Sequence, residues 1–302
     1  STLEELHLRF NESERAFLRF SVANATAVQD PGDAENLSPL WNITGAFPHL
    51  HTLSLGNVHP SAFEAKEYAA LPSTLTSFAV HSSNPIPTAA LPRSLLSLRA
   101  NLELSEETLT SLPPNLTFLE VLGRSRMTDD LVKYLPRTLT DMEPVLPIDL
   151  TEESIVTLPP GIRSLELGLY SFAEPEALLL LPQGLTKLKT TKFDRPSASW
   201  TSKTLRELPR SITYMEVSRV AWESISVDDW PASLTEMRTL FKEALSPADV
   251  AKLPRSLTVL DSTNYQPHFS NASACIPLLP PRLTSLFIVL ASNIPAPAAK
   301  YP

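Results

Sequence analysis

The sequence predicts an α/β repeat solenoid, with short parallel strands on one side and short helical turns on the other. Three observations predict it. A Leu-Pro-x-x-Leu-Thr-x-Leu motif recurs ten times along the chain. Successive copies start 20 to 27 residues apart, a period typical of repeat arrays. Proline is frequent and glycine rare, at 29 and 7 residues of 302, so the turns are mostly not made by glycine.

The ten copies share a large apolar residue directly before a proline. They begin at Leu71, Leu91, Leu112, Leu135, Leu158, Leu181, Leu208, Trp230, Leu253 and Leu279. A shortened copy begins at Phe47, and Leu3, Leu6 and Leu8 have the spacing of an opening strand. Because a repeated unit cannot bury its apolar face alone, neighbouring copies are expected to stack into one continuous core.

The strand of each unit follows from the spacing of its apolar residues. Leu283, Leu286 and Ile288 follow the pattern L-x-x-L-x-L, whose last four positions alternate inward and outward as in a strand. The other copies place apolar residues in the same way. The pattern therefore predicts a tight corner after each proline and a short strand after each corner.

The helical part of each unit precedes the Leu-Pro pair. Another apolar residue lies three or four positions earlier, as Leu109, Leu131 and Val250 do, and one helical turn brings both residues to the same face. Ser246 and Asp249 have the spacing of a capping box. The proline then ends the turn, because it disfavours helix in the residue before it.

These motifs resemble the leucine-rich-repeat superfamily. The Leu-Pro-x-x-Leu-Thr signature is most similar to proline-marked variants, such as the FNIP-type repeats of amoebae and the repeats of secreted bacterial ubiquitin-ligase effectors. The resemblance implies a horseshoe with a concave parallel sheet and short convex helical turns. The chain departs from these relatives because most copies lack the asparagine after the strand, the Phe-Asn-Gln element is missing, and no cysteine-rich caps flank the array.

The chain is expected to have three regions. Residues 1–46 form an irregular N-terminal cap or first repeats, residues 47–290 form the leucine-rich-repeat array, and residues 291–302 are a tail rich in proline and alanine. No polar cap follows the last strand, which ends at Leu290. Its open edge is expected to be covered by the tail, by a partner chain or by further chain.

No enzyme signature occurs, so we predict no catalytic residues and no cofactor. The glycine-rich nucleotide motifs, H-E-x-x-H and G-x-S-x-G are all missing. His49 and His51 would share one face of a strand; surface histidines are the favoured interpretation over a metal site. Cys275 has no nearby base and precedes a Leu-Pro pair, which favours a structural cysteine.

Charge and hydropathy exclude two kinds of partner. The net charge of −8 argues against nucleic acid, because phosphate binding needs clustered lysine and arginine. No apolar run approaches the roughly 20 residues that span a bilayer, so no membrane span is expected.

The residue between the last two apolar positions of each strand should face solvent on the concave side. Along the array these residues are Ser54, Ala79, Arg99, Glu120, Glu143, Glu166, Lys189, Glu216, Arg238, Asp261 and Phe287. The ligand-binding residues predicted on this face are Glu120, Asp141, Glu143, Glu166, Lys187, Lys189 and Glu216.

The three glutamates of this row, Glu120, Glu143 and Glu166, are expected to form a ladder of like charges. Directly opposed like charges are destabilising, and a cation or a basic partner would compensate for that cost. Lys187 and Lys189 lie on the next strand, where they would neutralise part of the ladder. A solvated, internally balanced face and a recognition patch both remain open.

Six Asn-x-Ser/Thr sequons suggest passage through a eukaryotic secretory pathway. We predict N-glycans on at least two of Asn11, Asn24, Asn36, Asn42, Asn115 and Asn271. A secreted or cell-surface location is therefore expected. The single cysteine favours a reducing compartment instead, so a cytoplasmic location stays as the alternative.

The sequence indicates a non-catalytic binding module that recognises a protein or glycan partner through the concave face. One alternative is a structural building block of a coat, wall or filament that assembles through the ends of the solenoid. Another is an intracellular adaptor or effector scaffold, as the proline-marked relatives imply.

Overall fold

A computed structural model describes residues 4–9, 47–58, 65–123, 127–144, 152–168, 179–191, 200–217, 220–239, 244–262 and 269–288. The chain divides into two compact units. The first comprises residues 1–146 and 159–161, and the second comprises residues 147–158 and 162–302. Each unit repeats a helical turn, a proline corner and a parallel strand. The predicted α/β leucine-rich-repeat solenoid is thus confirmed as the fold class. The boundaries of cap, array and tail stay predictions.

The first unit contains six described strands, each parallel to its neighbour and adjacent to it in chain order. They are β1 (Glu5–Arg9), β2 (Thr52–Val58), β3 (Ser77–Ser82), β4 (Ser97–Asn101), β5 (Phe118–Leu122) and β6 (Asp141–Pro144). Its helical turns are α1 (Ala65–Ala69), α2 (Glu106–Thr110), α3 (Asp129–Val132) and the 3-10 turn Thr88–Ala90.

The second unit also contains six described strands in parallel, chain-order pairing. They are β7 (Ser164–Gly168), β8 (Lys187–Thr191), β9 (Tyr214–Val217), β10 (Glu236–Thr239), β11 (Val259–Ser262) and β12 (Ser285–Ile288). The helices are α4 (Glu152–Ile155), α5 (Ser202–Glu207), α6 (Pro247–Val250) and α7 (Ala272–Cys275), with 3-10 turns at Trp222–Ser224, Val227–Asp229 and Ile276–Leu278.

The strands begin two residues after the first leucine of the L-x-x-L-x-L pattern, because that leucine closes the corner. The amide of Leu75 donates to the carbonyl of Pro72 at 3.0 Å, and Leu139 bonds to Pro136 in the same way at 3.1 Å. The leucine is fully buried in both corners. The motif proline thus stops the helix and accepts the hydrogen bond that turns the chain into the strand.

The helical turns bury one apolar residue three positions before the motif leucine. Leu109, Leu205 and Val250 are all at most 1% exposed. In α3 the buried residue is Val132, while Leu131 is only half-buried, so the expectation for Leu131 was wrong. The spacing of three, not four, turns the side chain toward the core in these short helices.

A threonine ladder links neighbouring repeats. The hydroxyl of Thr117 donates to the carbonyl of Leu96 at 3.0 Å, which also accepts the amides of Thr117 and Phe118 at 2.8 and 3.0 Å. The equivalent hydroxyl bonds are made by Thr76, Thr140, Thr186, Thr213, Thr235, Thr258 and Thr284. The threonine of the motif is therefore explained by bonding to the preceding repeat.

A second set of hydroxyls, here called the corner hydroxyls, lies one residue before the corner leucine, which is the first leucine of the L-x-x-L-x-L pattern. Ser94 donates to the carbonyl of Leu75 at 2.6 Å. The other corner hydroxyls are Thr74, Thr138, Ser211, Ser233 and Ser256. Both sets join repeat to repeat through backbone carbonyls, the kind of bond expected from the asparagine that most copies lack.

The capping box at Ser246 is confirmed. Its hydroxyl accepts from the Asp249 amide at 3.3 Å, and the Asp249 carboxylate accepts from the Ser246 amide at 2.9 Å. A second box, which joins Thr201 to Thr204 at the start of α5, was missed. It uses threonine where the usual pattern has glutamate or glutamine.

Candidate binding surface

The register of the strands places one outward residue of each strand beside its equivalent on the next strand. In the first unit this row, here called the outward row, is Ser54, Ala79, Arg99, Glu120 and Glu143. In the second unit it is Glu166, Lys189, Glu216, Arg238, Asp261 and Phe287. The predicted neighbours are confirmed within each unit.

The acidic residues of the first unit lie together, but a cation accompanies them. Glu120 and Glu143 are direct neighbours. On its other side, Glu120 forms an ion pair with Arg99, with 2.8 Å between Nη2 and Oε1. Asp141 lies opposite Phe118, and its carboxylate accepts the hydroxyl of Thr140 at 2.7 Å. The last three residues of the outward row in this unit are therefore one cation followed by two anions.

The predicted residues of the second unit alternate in charge. Glu166 lies beside Lys189, and Lys189 lies beside Glu216. Lys187 lies beside Tyr214, with its ammonium nitrogen 5.4 Å from the centre of the tyrosine ring. At that distance the ring attracts the cation.

Three further residues join Glu216 in a cluster that was not predicted as a site. Arg238 lies between Glu216 and Asp261, with its Nη1 3.8 Å from the Glu216 carboxylate and its Nε 3.6 Å from the Asp261 carboxylate. The hydroxyl of Tyr214 donates to Glu216 at 3.4 Å. We call Tyr214, Glu216, Arg238 and Asp261 the Arg238 cluster. Phe287, 53% exposed, lies directly beside Asp261.

Tyr214 of the Arg238 cluster is protonated at neutral pH. Burial, with a smaller contribution from the neighbouring Glu216 carboxylate, raises the pKa of its hydroxyl to about 12. The hydroxyl is therefore a hydrogen-bond donor at neutral pH. The Nε of Arg238 is buried and, among the described residues, has no hydrogen-bond partner, although the Arg238 side chain is 42% exposed.

The signal that would have found Tyr214 was present in the sequence. Tyr214 lies two residues before Glu216 on β9, so both side chains face outward. The sequence prediction took one outward position from each strand and added a second one only at Asp141 and Lys187. Each strand has a second one, and in β8 to β11 it is occupied by Lys187, Tyr214, Glu236 and Val259.

Two of the six sequons lie in described residues, and both asparagines are exposed. Asn271 is the N-cap of α7: its Oδ1 accepts from the Ala274 amide at 3.2 Å and from the Ser273 hydroxyl at 2.8 Å. Asn115 lies in a corner, at the position that a corner hydroxyl occupies in other repeats. Asn11, Asn24, Asn36 and Asn42 lie outside the described residues.

The residues considered for metal or thiol chemistry have structural surroundings. His51 shares a hydrogen bond of 3.0 Å with the carbonyl of Thr74. Cys275 is fully buried, its sulfur lies 3.7 Å from the carbonyl of Leu245, and burial raises the pKa of its thiol. Within the described ranges, no three histidine, cysteine, aspartate or glutamate side chains are grouped to hold a metal.

In the described part of the chain, no helix has both the length and the apolar character needed to cross a membrane.

No protein-family model matches the chain, and no curated protein matches it. Among solved structures, it is similar to the leucine-rich-repeat-containing protein LegL7 from Legionella pneumophila, with 13% identity over 85% of this chain and 87% of that one, and a TM-score of 0.46. It is also similar to CroV588, a circular leucine-rich-repeat protein, with 20% identity over 79% of this chain and a TM-score of 0.47.

A third similar structure is the complex of Toll with Spatzle from Drosophila, with 14% identity over 80% of this chain and a TM-score of 0.48. The chain spans 40% of the CroV588 chain and 33% of the matched chain of the Toll complex, less than half of each.

Proposed function

We propose that the chain is a non-catalytic binding module that recognises a protein partner through the outward strand surface of its second unit. The observation that carries this proposal is the Arg238 cluster together with Phe287. Tyrosine and arginine are among the residue types that are enriched at the energetically dominant positions of protein–protein interfaces. Here Tyr214 and Arg238 lie diagonally across adjacent strands. An exposed phenylalanine lies two strands beyond Arg238, beside Asp261.

The cluster is held in position before any partner binds. Carboxylates lie on both sides of Arg238, and Tyr214 is tied to Glu216. A side chain that is already ordered loses less conformational entropy on binding than a free one. Because the side chains stand on a sheet, their spacing is set by the strands and suits an extended partner surface.

The charges of this surface favour a partner that carries both signs. Lys189, Glu216, Arg238 and Asp261 alternate along the outward row. Alternating charges give orientation and specificity more than affinity. A protein surface with complementary charges around an apolar centre fits this pattern.

We further propose that the chain is secreted or displayed on a cell surface as a glycoprotein. The six sequons support this location. At Asn271 the cap uses Oδ1, so the nitrogen to which a glycan is attached is a different atom from the one that caps α7. Glycopeptide mass spectrometry of native protein tests the location, with N-acetylglucosamine expected on at least two of the six asparagines. Unmodified asparagine at all six would leave the cytoplasmic alternative.

Binding is tested by chemical cross-linking of the purified full chain in an extract of its native source, followed by mass spectrometry. The test variant is R238A/F287A, and the matched control is R255A/V156A, which removes an exposed arginine and a valine that is 61% exposed elsewhere in the second unit. We expect a protein that cross-links near β9 to β12 in the wild type and the control, and at least tenfold less in the test variant.

Equal cross-linking by all three proteins would overturn the choice of surface. If the wild type and the control bind glycans on an array and no protein cross-links to them, the partner is a glycan and not a protein.

A further inference from the structure

The first and last described strands leave their core positions partly uncovered. Each strand from β2 to β11 has a buried inward residue at one shared register position. These residues are all at most 1% exposed: Leu53, Phe78, Leu98, Leu119, Met142, Leu165, Leu188, Met215, Met237 and Leu260. Leu6 of β1 and Leu286 of β12 hold the same register position but are only half-buried. Each of these two strands therefore leaves apolar surface that a neighbouring repeat would cover.

Thr284, the residue directly before β12, carries a backbone carbonyl that a further repeat would bind. In the preceding repeat, the carbonyl of Thr258 accepts the amides of Thr284 and Ser285 at 2.8 and 3.0 Å and the hydroxyl of Thr284 at 3.0 Å. Thr284 is the equivalent of Thr258 one repeat later. Among the described residues, none donates to the carbonyl of Thr284.

The backbone of β1 presents the matching donors. The carbonyl of Glu4 accepts the amides of His51 and Thr52 at 2.9 and 3.1 Å, as the carbonyl of Thr258 accepts Thr284 and Ser285. Glu4 thus holds the register position of Thr284. The amides of Glu4 and Glu5 are the equivalents of those that bind the preceding repeat elsewhere, and within the described ranges they have no such acceptor.

We propose that β1 of a second copy of this chain pairs in parallel with β12, head to tail, and continues the interface that joins successive repeats within each unit. Glu5 would lie opposite Ser285, Leu6 opposite Leu286, and His7 opposite Phe287. The pairing covers both half-buried leucines. It places no like charges opposite each other, and it supplies two amides to the carbonyl of Thr284, to which no described residue donates. It does not depend on the partner proposed above.

The test is sedimentation velocity of the full chain at neutral pH from 1 to 200 µM, with two variants that exploit the register. S285E places a carboxylate opposite Glu5 of the neighbouring copy, and S285E/E5K turns that pair into opposite charges. S97E is the control, because Ser97 is a half-buried outward serine of β4 that lies between Ser77 and Phe118.

We expect the wild type to sediment faster as its concentration rises. S285E should weaken the association about fivefold, the effect of roughly 1 kcal/mol of like-charge repulsion across strands, and S285E/E5K should restore it. S97E should behave as the wild type does. A wild type that sediments as a monomer at every concentration, or equal weakening by S285E and S97E, would overturn the proposal.

Discussion

The helical sides of the two units join their repeats at equivalent positions with different chemistry. In the first unit, the hydroxyl of Thr88 contacts the hydroxyl of Ser111 and donates to the carbonyl of Thr108 at 3.0 Å. In the second, Nε of Arg206 donates to the carboxylate of Asp229 at 2.6 Å. Ser111 and Asp229 each lie one residue before the motif, so one unit uses neutral hydroxyls where the other uses an ion pair.

The outward strand surfaces of the two units also differ, with neutral side chains in part of the first unit and charged ones in the second. The outward residues of β2 and β3 and the first of β4 are the small side chains Thr52, Ser54, Ser77, Ala79 and Ser97, while those of β8 to β11 are mostly charged or aromatic. The buried leucines, the proline corners and both hydroxyl sets recur in both units. The repeat therefore constrains the core and the corner, and positions outside them are free to acquire charge and a partner.

The largest difference between the units is expected at Asp229. We expect D229A to lower the free energy of unfolding by about 2 kcal/mol and S111A to lower it by about 1 kcal/mol, because a buried carboxylate loses charge-assisted bonds and a hydroxyl loses neutral ones. The loss expected for D229A is modest because the Arg206 side chain is 62% exposed and water can solvate it. Urea unfolding measures both. Equal losses would remove the distinction.

The same aspartate should make the free energy of unfolding depend on pH. Burial alone would raise the pKa of Asp229, but the Ser226 amide, the Arg206 guanidinium and the Ser202 hydroxyl lower it below its ordinary value. A lowered folded-state pKa stabilises the protein above the unfolded value near 4, and this contribution is lost as the pH falls further. Wild type and S111A should therefore lose more stability than D229A between about pH 4 and pH 2. Parallel curves in thermal unfolding would contradict this.

The corner hydroxyls should not distinguish the units. Ser94 in the first unit and Ser233 in the second each donate to the carbonyl of the preceding corner residue, at 2.6 and 2.7 Å. S94A and S233A should each lower the free energy of unfolding by about 1 kcal/mol. Losses that differ by more than a factor of two would show that the two units do not share one corner chemistry.

The smallest effect is expected on the outward row of the first unit. Replacing Glu143 by Gln removes the like-charge contact with Glu120, while Glu120 keeps its bond to Arg99. We expect a change of at most about 0.5 kcal/mol at low salt, which disappears at high salt. The thermal midpoint of E143Q measures it. A change of more than about 1 kcal/mol in either direction would contradict this.

Much of the fold could be predicted because its determinants lie within one repeat. The Leu-Pro pair marks the end of a helical turn, and the period of two after Leu283 or Leu257 assigns inward and outward faces. Hydropathy alone does not separate a buried corner leucine from a buried strand leucine. Only the hydrogen bond from Leu75 to Pro72 does so.

The sequence by itself determined the period, the buried leucines, the outward row and the lack of enzyme motifs. The tertiary structure decided which of these residues meet. Arg238 lies between Glu216 and Asp261 only because strands separated by 22 and 23 residues stack in register, and Arg206 reaches Asp229 for the same reason. Periodicity is a local property of one chain segment, whereas a contact between repeats depends on how the intervening loops, which vary in length, bring two segments together.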